Sequence, residues 1–314
     1  MKLVSYRYED EVRGGCVVGD KVIDLNRAYQ LHLKATGKTR VEERAEALVP
    51  ADNVALLQGG DESLALAKEA VDYVLANRDK LPVNRVIFSR SSVKLEAPVL
   101  KPNKILCVGH NYREHILEMG RQIPEVPVLF AKFNNTIIGP EDDIPLHPIT
   151  QQLDYEAEFA FVMGKKARYV SEEEALDYVA GYTIANDISA RDLQMRTVEW
   201  LQGKTLDGSL PLGPWLVTKE DIPDPHQLEI SLKVNGEERQ RSNTKNLVFN
   251  VNRMVAFLSE ILTLEPGDVV LTGTPGGVGF ARDPKVFLQD GDVVTVEVDK
   301  IGTLENRVRA VGRE

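Results

Sequence analysis

Three acidic residues, Asp154, Glu156 and Glu158, occupy every second position in an apolar, aromatic segment, 153–163. Because side chains alternate between the two faces of a β-strand, this spacing places the three carboxylates on one face. Glu156 and Glu158 would then offer oxygen ligands about 7 Å apart, of the kind that Mg²⁺ prefers. Taken alone, the Glu-x-Glu pair favours a simpler interpretation, a half-exposed edge strand with a polar face.

A further acid, Asp187, follows the apolar run G-Y-T-I-A-N, 181–186. Taken alone, an acid at the end of a strand is typical of a cap for the following turn or helix. As a metal ligand it would complete a set of three carboxylates with Glu156 and Glu158. Such a set leaves positions open for water and substrate.

A histidine and a glutamate lie three residues apart in G-H-N-Y-R-E-H-I-L-E-M-G, residues 109–120. His115 and Glu118 share one face if this segment forms a helical turn. A carboxylate beside an imidazole fixes its tautomer and raises its basicity, which suits proton abstraction or water activation. The spacing is common, and in isolation it favours an ordinary surface pair.

Two glycine-rich stretches add further candidates. Lys204 lies in Q-G-K-T-L-D-G-S-L-P-L-G-P, 202–214, and T-G-T-P-G-G-V-G, 272–279, follows a predicted strand. The second stretch lacks the Gly-Lys-Ser/Thr end of a phosphate-binding loop, but its N–H groups could bind a carboxylate. The alternatives are a solvated lysine and glycines that serve only tight turns.

Short strands separated by Gly and Pro turns must position these residues. Strands are predicted at 104–109, 158–164, 180–189 and 268–274, and a hairpin at 227–240 turns at Asn235-Gly236. Helices are predicted at about 41–48, 62–80 and 250–263, and from near Ser171. Many strands, few helices and no βαβ rhythm favour an α+β, β-rich barrel or roll.

The proline-containing segment 95–104 is the best linker candidate. We therefore predict a small N-terminal domain, 1–98, and a larger domain, 99–314.

The composition excludes several classes of function. A net charge of −10 over 314 residues argues against a nucleic-acid or anionic-membrane partner. No apolar run approaches the ~20 residues that span a bilayer, and the N-terminus is typical of a first strand rather than a signal peptide. We expect a cytoplasmic protein. Cys16 and Cys107 lie in apolar surroundings and are expected to be buried hydrophobes, without a disulfide or zinc pattern.

The order of the motifs along residues 100–312 resembles the fumarylacetoacetate hydrolase family, and most closely its bacterial and mitochondrial "domain-containing" branch. The motifs are His115-x-x-Glu118, D-Y-E-A-E (154–158), N-D-I-S-A-R-D-L-Q (186–194), G-K-T-L-D (203–207), L-G-P (212–214) and L-T-G-T-P-G-G-V-G (271–279). The resemblance implies a mixed β-sandwich roll, preceded by a small N-terminal α+β domain, and a homodimer.

The resemblance also implies a site. A divalent cation, Mg²⁺ with Mn²⁺ or Ca²⁺ as alternatives, would be held by Glu156, Glu158 and Asp187. The catalytic groups would be Lys204 as an electrophile and a dyad, His115 and Glu118, on a lid that orders over the substrate. The positions that match substrate contacts are Lys132, Arg191, Gln194 and Thr274. Asp154 lies on the same face, two residues before the Glu-x-Glu pair. It is expected to interact with the metal ligands rather than to bind the metal itself.

The reaction expected from the resemblance is metal-dependent hydrolysis of a C–C bond in an acylpyruvate or diketo acid, through a stabilised enolate. The close alternative is an oxaloacetate decarboxylase, or a tautomerase (isomerase) of oxaloacetate or of a 2-hydroxy-diene-dioate. A further alternative is a non-catalytic binding protein that is braced by the metal. The founding diketo-acid hydrolases carry another metal-binding Asp just upstream of the histidine, where this chain has G-H-N-Y, 109–112. Their substrate therefore does not transfer directly.

Overall fold

The computed structural model describes residues 1–312, which form two large β-sheets that share a core and a small two-stranded sheet. The first elements are β1 (Lys2–Tyr8), β2 (Glu11–Val18), β3 (Lys21–Asp24), α1 (Leu25–Ala35), α2 (Val41–Leu48), α3 (Asn53–Gln58), α4 (Gly60–Asn77), β4 (Ile87–Ser89) and β5 (Lys94–Glu96). There follow β6 (Ile105–Gly109), α5 (Arg113–Glu118), β7 (Val128–Lys132), β8 (Ile137–Ile138), β9 (Ile144–Leu146), β10 (Leu153–Asp154), β11 (Ala157–Met163), β12 (Val179–Asn186), β13 (Ser189–Ala190), α6 (Arg191–Gln194), α7 (Leu201–Lys204) and β14 (Leu210–Thr218). The last elements are β15 (Glu229–Val234), β16 (Glu237–Asn243), α8 (Val251–Ile261), β17 (Val269–Leu271), β18 (Val293–Val298) and β19 (Gly302–Ala310).

The large sheet has the strand order β4-β3-β2-β1-β14-β12-β11-β17-β6-β7, with β5 paired to β1 and β8 paired to β14. Most of its neighbours are antiparallel, but β17 runs parallel to β6 and β8 runs parallel to β14. The second sheet has the order β16-β15-β18-β19-β9, and β10 pairs with β13. The mixture of parallel and antiparallel pairs fits the predicted mixed roll.

The two faces of β11 show how the layers pack. Phe159 and Phe161 lie in the core that the large sheet shares with β15 and β18 of the second sheet. Ala160 and Val162, on the opposite face, lie in a core with the N-terminal helices. Because successive side chains point to opposite faces, one central strand contributes to both cores. The α+β, β-rich sandwich is confirmed.

The N-terminal helices pack through an apolar stripe on α4. Its buried positions recur at helical spacing, namely Ser63, Ala67, Ala70, Val71 and Val74. Mostly small side chains on this stripe let α4 lie close to α1, and the apolar ones belong to a core that also contains side chains of the large sheet.

Most predicted elements are confirmed, including the hairpin at Asn235-Gly236, where both residues have positive φ as a two-residue hairpin turn requires. The helix predicted from Ser171 is wrong. The Ser171 hydroxyl does accept the N–H of Glu174, as at a helix start, but only a 3₁₀ turn, Ala175–Tyr178, follows. Because β12 begins at Val179, the segment leaves no room for a longer helix.

The predicted linker, 95–104, begins within the large sheet. β5 pairs with β1, and β1 also pairs with β14 of the C-terminal part. Ala97 and Val99 are buried, and the Pro98 carbonyl accepts a hydrogen bond from Asn53. The boundary at 98/99 stays a prediction.

The two cysteines, Cys16 and Cys107, are buried and unpaired, which confirms that they serve as core residues. No helix in the described part of the chain is long and apolar enough to cross a bilayer. The cytoplasmic location and the homodimer stay predictions.

Asn111 is expected to be a stability determinant, because its side chain joins three segments. Its amide donates to the carbonyls of Phe249 and Thr272 and accepts the N–H of Phe249. The Asn111→Ala variant leaves these buried groups unpaired, so its free energy of unfolding should fall by about 3 kcal/mol. Chemical denaturation measures the change. Asn252→Ala, which removes one exposed hydrogen bond, should change it by less than about 1 kcal/mol, and equal effects would contradict the assignment.

Candidate metal centre and active site

The acidic row is buried where β10 leads into β11. Asp154, Glu156 and Glu158 are 0%, 6% and 2% exposed, while Tyr155 and Ala157 point into the core on the opposite face. The predicted alternation is therefore confirmed. The edge-strand interpretation is wrong, because β11 lies between β12 and β17 in the interior of the sheet.

Asp187 reaches the same point from the end of β12. The strand register pairs Ala157 with Asn186. The next N–H, that of Asp187, donates to the Glu156 carbonyl at 2.9 Å, and the Glu156 N–H donates to the Asn186 side chain at 3.0 Å. As a result, one carboxylate oxygen from each of Glu156, Glu158 and Asp187 lies within 4.8 Å of the others.

Two buried lysines neutralise part of this charge. The Lys204 ammonium donates to Glu156 at 2.8 Å and to Asp187 at 2.7 Å. Lys132 donates to the other Asp187 oxygen at 2.8 Å and to the Ser209 hydroxyl at 3.2 Å. Asp187 therefore pairs with cations and does not act as a helix cap. The interpretation of Lys204 as a solvated cation is wrong, since it is 2% exposed.

Asp154 lies outside the carboxylate triad and holds an arginine. Its carboxylate accepts the Arg191 Nε–H at 2.8 Å and the backbone N–H groups of Gly279 and Phe280. The Arg191 Nη1 lies 2.8 Å from Glu156, so Asp154 supports that ligand through the guanidinium. The Arg191 Nη2 is buried and has no partner within residues 1–312. This nitrogen therefore remains available to donate a hydrogen bond to a ligand.

The buried charges at the site do not cancel. The carboxylates are Asp154, Glu156, Glu158 and Asp187, and the cations are Lys132, Arg191 and Lys204. One negative charge is left over, and it falls on Glu158. In the described chain this carboxylate has no lysine or arginine partner and accepts only the Gly273 N–H, at 2.6 Å.

The pKa values of the two glutamates differ for this reason. Burial, with Asp187 and Glu156 nearby, raises the pKa of Glu158 well above its ordinary range. Burial also opposes the ionisation of Glu156, but Lys204 and Arg191 overcome it and lower the pKa to about 2. Glu158 must therefore either hold a proton or face a cation. Three close carboxylates with one uncompensated charge fit a hard divalent cation.

His115 and Glu118 form a hydrogen-bonded dyad on α5. The His115 Nδ1 lies 2.8 Å from one Glu118 oxygen, and the other oxygen accepts the Gly277 N–H at 2.8 Å. Because a carboxylate can only accept, Nδ1 carries the proton and Nε2 is the basic atom of the neutral ring. His115 is buried, so the surface-pair interpretation is wrong. Gly277 is required here, since its φ is +103° and a Cβ would lie 2.1 Å from the Arg239 carbonyl.

Gln240, which no sequence motif singled out, orients Thr274. Its amide nitrogen donates to the Thr274 hydroxyl and to the Pro275 carbonyl, each at 2.8 Å. Its amide oxygen accepts the Ala157 N–H at 2.9 Å. Because Gln240 supplies the proton of its bond to Thr274, the threonine hydroxyl keeps its own proton for another acceptor.

A cleft with an empty volume of about 550 Å³ brings most of the predicted residues together. Its lining includes His115, Glu156, Glu158, Arg191, Gln194, Lys204 and Thr274. Lys132 is not part of this lining in the described chain and lies behind Asp187. Gln194 accepts a hydrogen bond from Arg191 at 3.0 Å, so the two side chains line the wall as one unit.

Sequence reasoning missed several residues of the cleft wall, namely His110, Arg121, Phe130 and Trp200. The His110 ring stacks on His115 with centroids 6.1 Å apart, and its Nε2 accepts from the Arg121 guanidinium at 2.9 Å. The Trp200 ring is perpendicular to the His110 ring, and the two ring centroids are 5.2 Å apart. The motif G-H-N-Y contains His110, but nothing in its spacing marks the histidine as part of a site.

A family model described as the fumarylacetoacetate (FAA) hydrolase C-terminal domain matches residues 104–309. The chain belongs to the fumarylacetoacetate hydrolase family. Members with similar sequences include the mitochondrial oxaloacetate tautomerase of Xenopus laevis, 48% identical over 98% of this chain and 90% of its own length. The oxaloacetate tautomerase YisK of Bacillus subtilis is 42% identical over 98% of this chain and its full length.

A solved structure of the family was obtained with a metal. Maleylpyruvate hydrolase from Sphingobium sp. SYK-6, in complex with manganese(II) and pyruvate, matches 99% of this chain and all of its own, with 28% identity and a TM-score of 0.72. The family resemblance inferred from the motifs is confirmed. The family contains enzymes that act on small acids, and the buried triad of this chain could hold a metal.

Glu158 is the candidate ligand whose loss should be most specific for metal binding, because no lysine or arginine among residues 1–312 pairs with it. The Glu158→Gln variant should bind Mn²⁺ or Mg²⁺ at least about a hundredfold more weakly, as measured by titration calorimetry and elemental analysis. Its metal-free form should be as stable as metal-free wild type, since Glu158 holds a proton when no cation faces it, and a neutral amide then replaces a neutral carboxyl.

A matched control is Glu114→Gln, because Glu114 pairs with the Ser242 hydroxyl and lies outside the triad. This variant should keep its metal. Full metal occupancy in Glu158→Gln would contradict the ligand assignment.

Proposed function

We propose that this family member is a divalent-metal-dependent tautomerase that interconverts the enol and keto forms of a small 2-oxo dicarboxylic acid of the oxaloacetate type. The observation that carries the proposal is that His115, the base of the His115–Glu118 dyad, lines one cleft with Lys204 and two carboxylates of the triad, Glu156 and Glu158. The names of the two tautomerases that are 48% and 42% identical support this choice of reaction and substrate.

The metal ligands in this proposal are Glu156, Glu158 and Asp187. When bound, a divalent cation would stabilise negative charge on the oxygens of the 2-oxo acid. Mg²⁺ is the expected ion, with Mn²⁺, named in a relative's structure, and Ca²⁺ as alternatives.

The dyad provides the proton transfer. His115 Nε2 takes a proton from C3 of the keto acid, and the C–H electron pair becomes the C2–C3 double bond as charge moves to the C2 oxygen. The His115 imidazolium then returns the proton to that oxygen, which gives the enol and restores the neutral imidazole, and the reverse sequence returns the keto form. Glu118 keeps the imidazole in the required tautomer. No atom is lost, so neither water nor a leaving group takes part.

Three hydrogen-bond donors can bind the 2-oxo acid and stabilise the negative charge that develops on its oxygens. Lys204 uses two of its three N–H bonds on Glu156 and Asp187 and keeps the third. Arg191 keeps its Nη2 donor and Thr274 keeps its hydroxyl proton. Donors that are already fixed by buried partners stabilise an oxyanion without reorganisation.

Hydrolysis of a C–C bond, the reaction first expected from the motifs, is the second candidate. The maleylpyruvate hydrolase with manganese and pyruvate favours it, because a dyad of this kind can also activate water. Decarboxylation of oxaloacetate would need the same enolate stabilisation and no water. A non-catalytic binding protein would not need a hydrogen-bonded His–Glu dyad at the cleft, so this candidate ranks last.

Assays that follow different products separate these reactions. We expect the metal-loaded protein to accelerate the loss of enol-oxaloacetate absorbance, with pyruvate forming no faster than in buffer. EDTA should abolish the effect. Pyruvate and CO₂ release at the rate of enol loss would favour the decarboxylase, and faster cleavage of acylpyruvates would favour the hydrolase.

The base can be tested by its removal. His115→Gln should lower kcat for tautomerisation by about 10²- to 10⁴-fold, because it removes the basic Nε2 that takes the proton from C3, while metal content stays unchanged. His226→Gln is the control, since His226 lies outside the cleft lining. Wild-type turnover by His115→Gln would rule out this role for the dyad.

A further inference from the structure

Arg121 differs from the other cations that line the cleft. Arg191 and Lys204 each contact two carboxylates, whereas Arg121 contacts none within residues 1–312. Its one side-chain hydrogen bond in this range joins Nη1 to the His110 Nε2 at 2.9 Å. A guanidinium with most of its N–H groups uncommitted, on the wall of an active-site cleft, is suited to an anion.

The backbone of Arg121 is fixed to the helix that carries the dyad. Gly120 has a φ of +65°, and its N–H donates to the Leu117 carbonyl at 3.0 Å. The Arg121 N–H donates to the Ile116 carbonyl at 3.0 Å, which closes the end of α5. Arg121 therefore has a defined position relative to His115.

His110 orients the Arg121 side chain without neutralising it. Because a guanidinium only donates, the His110 Nε2 must be unprotonated, and the neutral ring carries its proton on Nδ1. Burial, together with Arg121 and His115, lowers the pKa of His110 to about 4, so the ring is neutral near pH 7. The Nδ1 is buried and lacks a partner among the described residues.

We propose that Arg121, held by His110, binds the second carboxylate of the substrate, the one remote from the 2-oxo group, and so selects dicarboxylic over monocarboxylic 2-oxo acids. This assignment rests on the proposed function. It identifies the part of the site that distinguishes dicarboxylic from monocarboxylic substrates. Charge balance supports it. A divalent cation would change the leftover charge of the buried cluster from −1 to +1, which suits one carboxylate of the substrate, and Arg121 supplies a separate positive charge for the other.

An inert ligand pair tests the assignment apart from turnover. Malate and 2-hydroxybutanoate share a 2-hydroxy acid end, but 2-hydroxybutanoate has a methyl group where malate has its second carboxylate. Calorimetry on the Mn²⁺-loaded protein should show that Arg121→Gln weakens malate binding about tenfold to a hundredfold. Binding of 2-hydroxybutanoate should change less than about twofold, and Arg121→Lys should retain part of the malate affinity.

Arg113→Gln is the matched control, because Arg113 is an exposed arginine at the start of α5, the helix that precedes Arg121, and does not line the cleft. It should leave both affinities unchanged. Equal losses for both ligands, or no loss for malate, in Arg121→Gln would overturn the assignment. Because neither ligand turns over, selective loss of malate in a protein that fails the tautomerase assay would overturn the reaction and leave the subsite standing.

Discussion

The structure of the site depends on one constraint, the compensation of negative charge buried at the junction of β10, β11 and β12. Isolated ionised carboxylates are not stable in such surroundings, because transfer out of water costs several kcal/mol for each. The chain meets the constraint with cations from separate elements, namely Lys132 at the end of β7, Arg191 at the start of α6 and Lys204 at the end of α7. Backbone N–H groups of the glycine-rich loop, 272–279, donate further hydrogen bonds to Asp154 and Glu158. Each of these elements is therefore held in place partly by the ion pair between its cation and a buried carboxylate.

The same constraint gives the cluster its chemistry. Full neutralisation by protein groups would leave no reason for a metal to bind, and a larger excess of carboxylates would raise the cost of folding without it. One uncompensated charge, on Glu158, lies between these extremes. The dyad is held by the same glycine-rich loop, since the N–H of Gly277 anchors Glu118 while those of Gly273 and Gly279 bind Glu158 and Asp154. One loop thus fixes the position of the base relative to the charged cluster.

Sequence patterns predicted the local features of this arrangement. The alternation of Asp154, Glu156 and Glu158 placed them on one face, because strand geometry is strictly periodic. Burial of that face depends on the strands that pair with β11, and a local sequence pattern does not reveal them. For this reason the edge-strand interpretation was reasonable from the sequence but wrong. Gln240 escaped notice because it comes from the second sheet and meets Thr274 only after the two sheets pack. The helix expected from Ser171 failed because the next strand begins too soon.

The strand order of the large sheet has a consequence for how the protein acquires activity during folding. The candidate ligands on β11 and β12 are local to each other, but Glu158 also needs the N–H of Gly273, which follows β17, and β17 pairs with both β11 and β6. These contacts close chain loops of more than a hundred residues, and such long-range closures are the slow steps of folding. A nascent or truncated chain that ends before Leu271 lacks the strand that joins the two halves of the site. Recovery of metal binding on refolding therefore reports completion of the sheet rather than formation of any one strand pair.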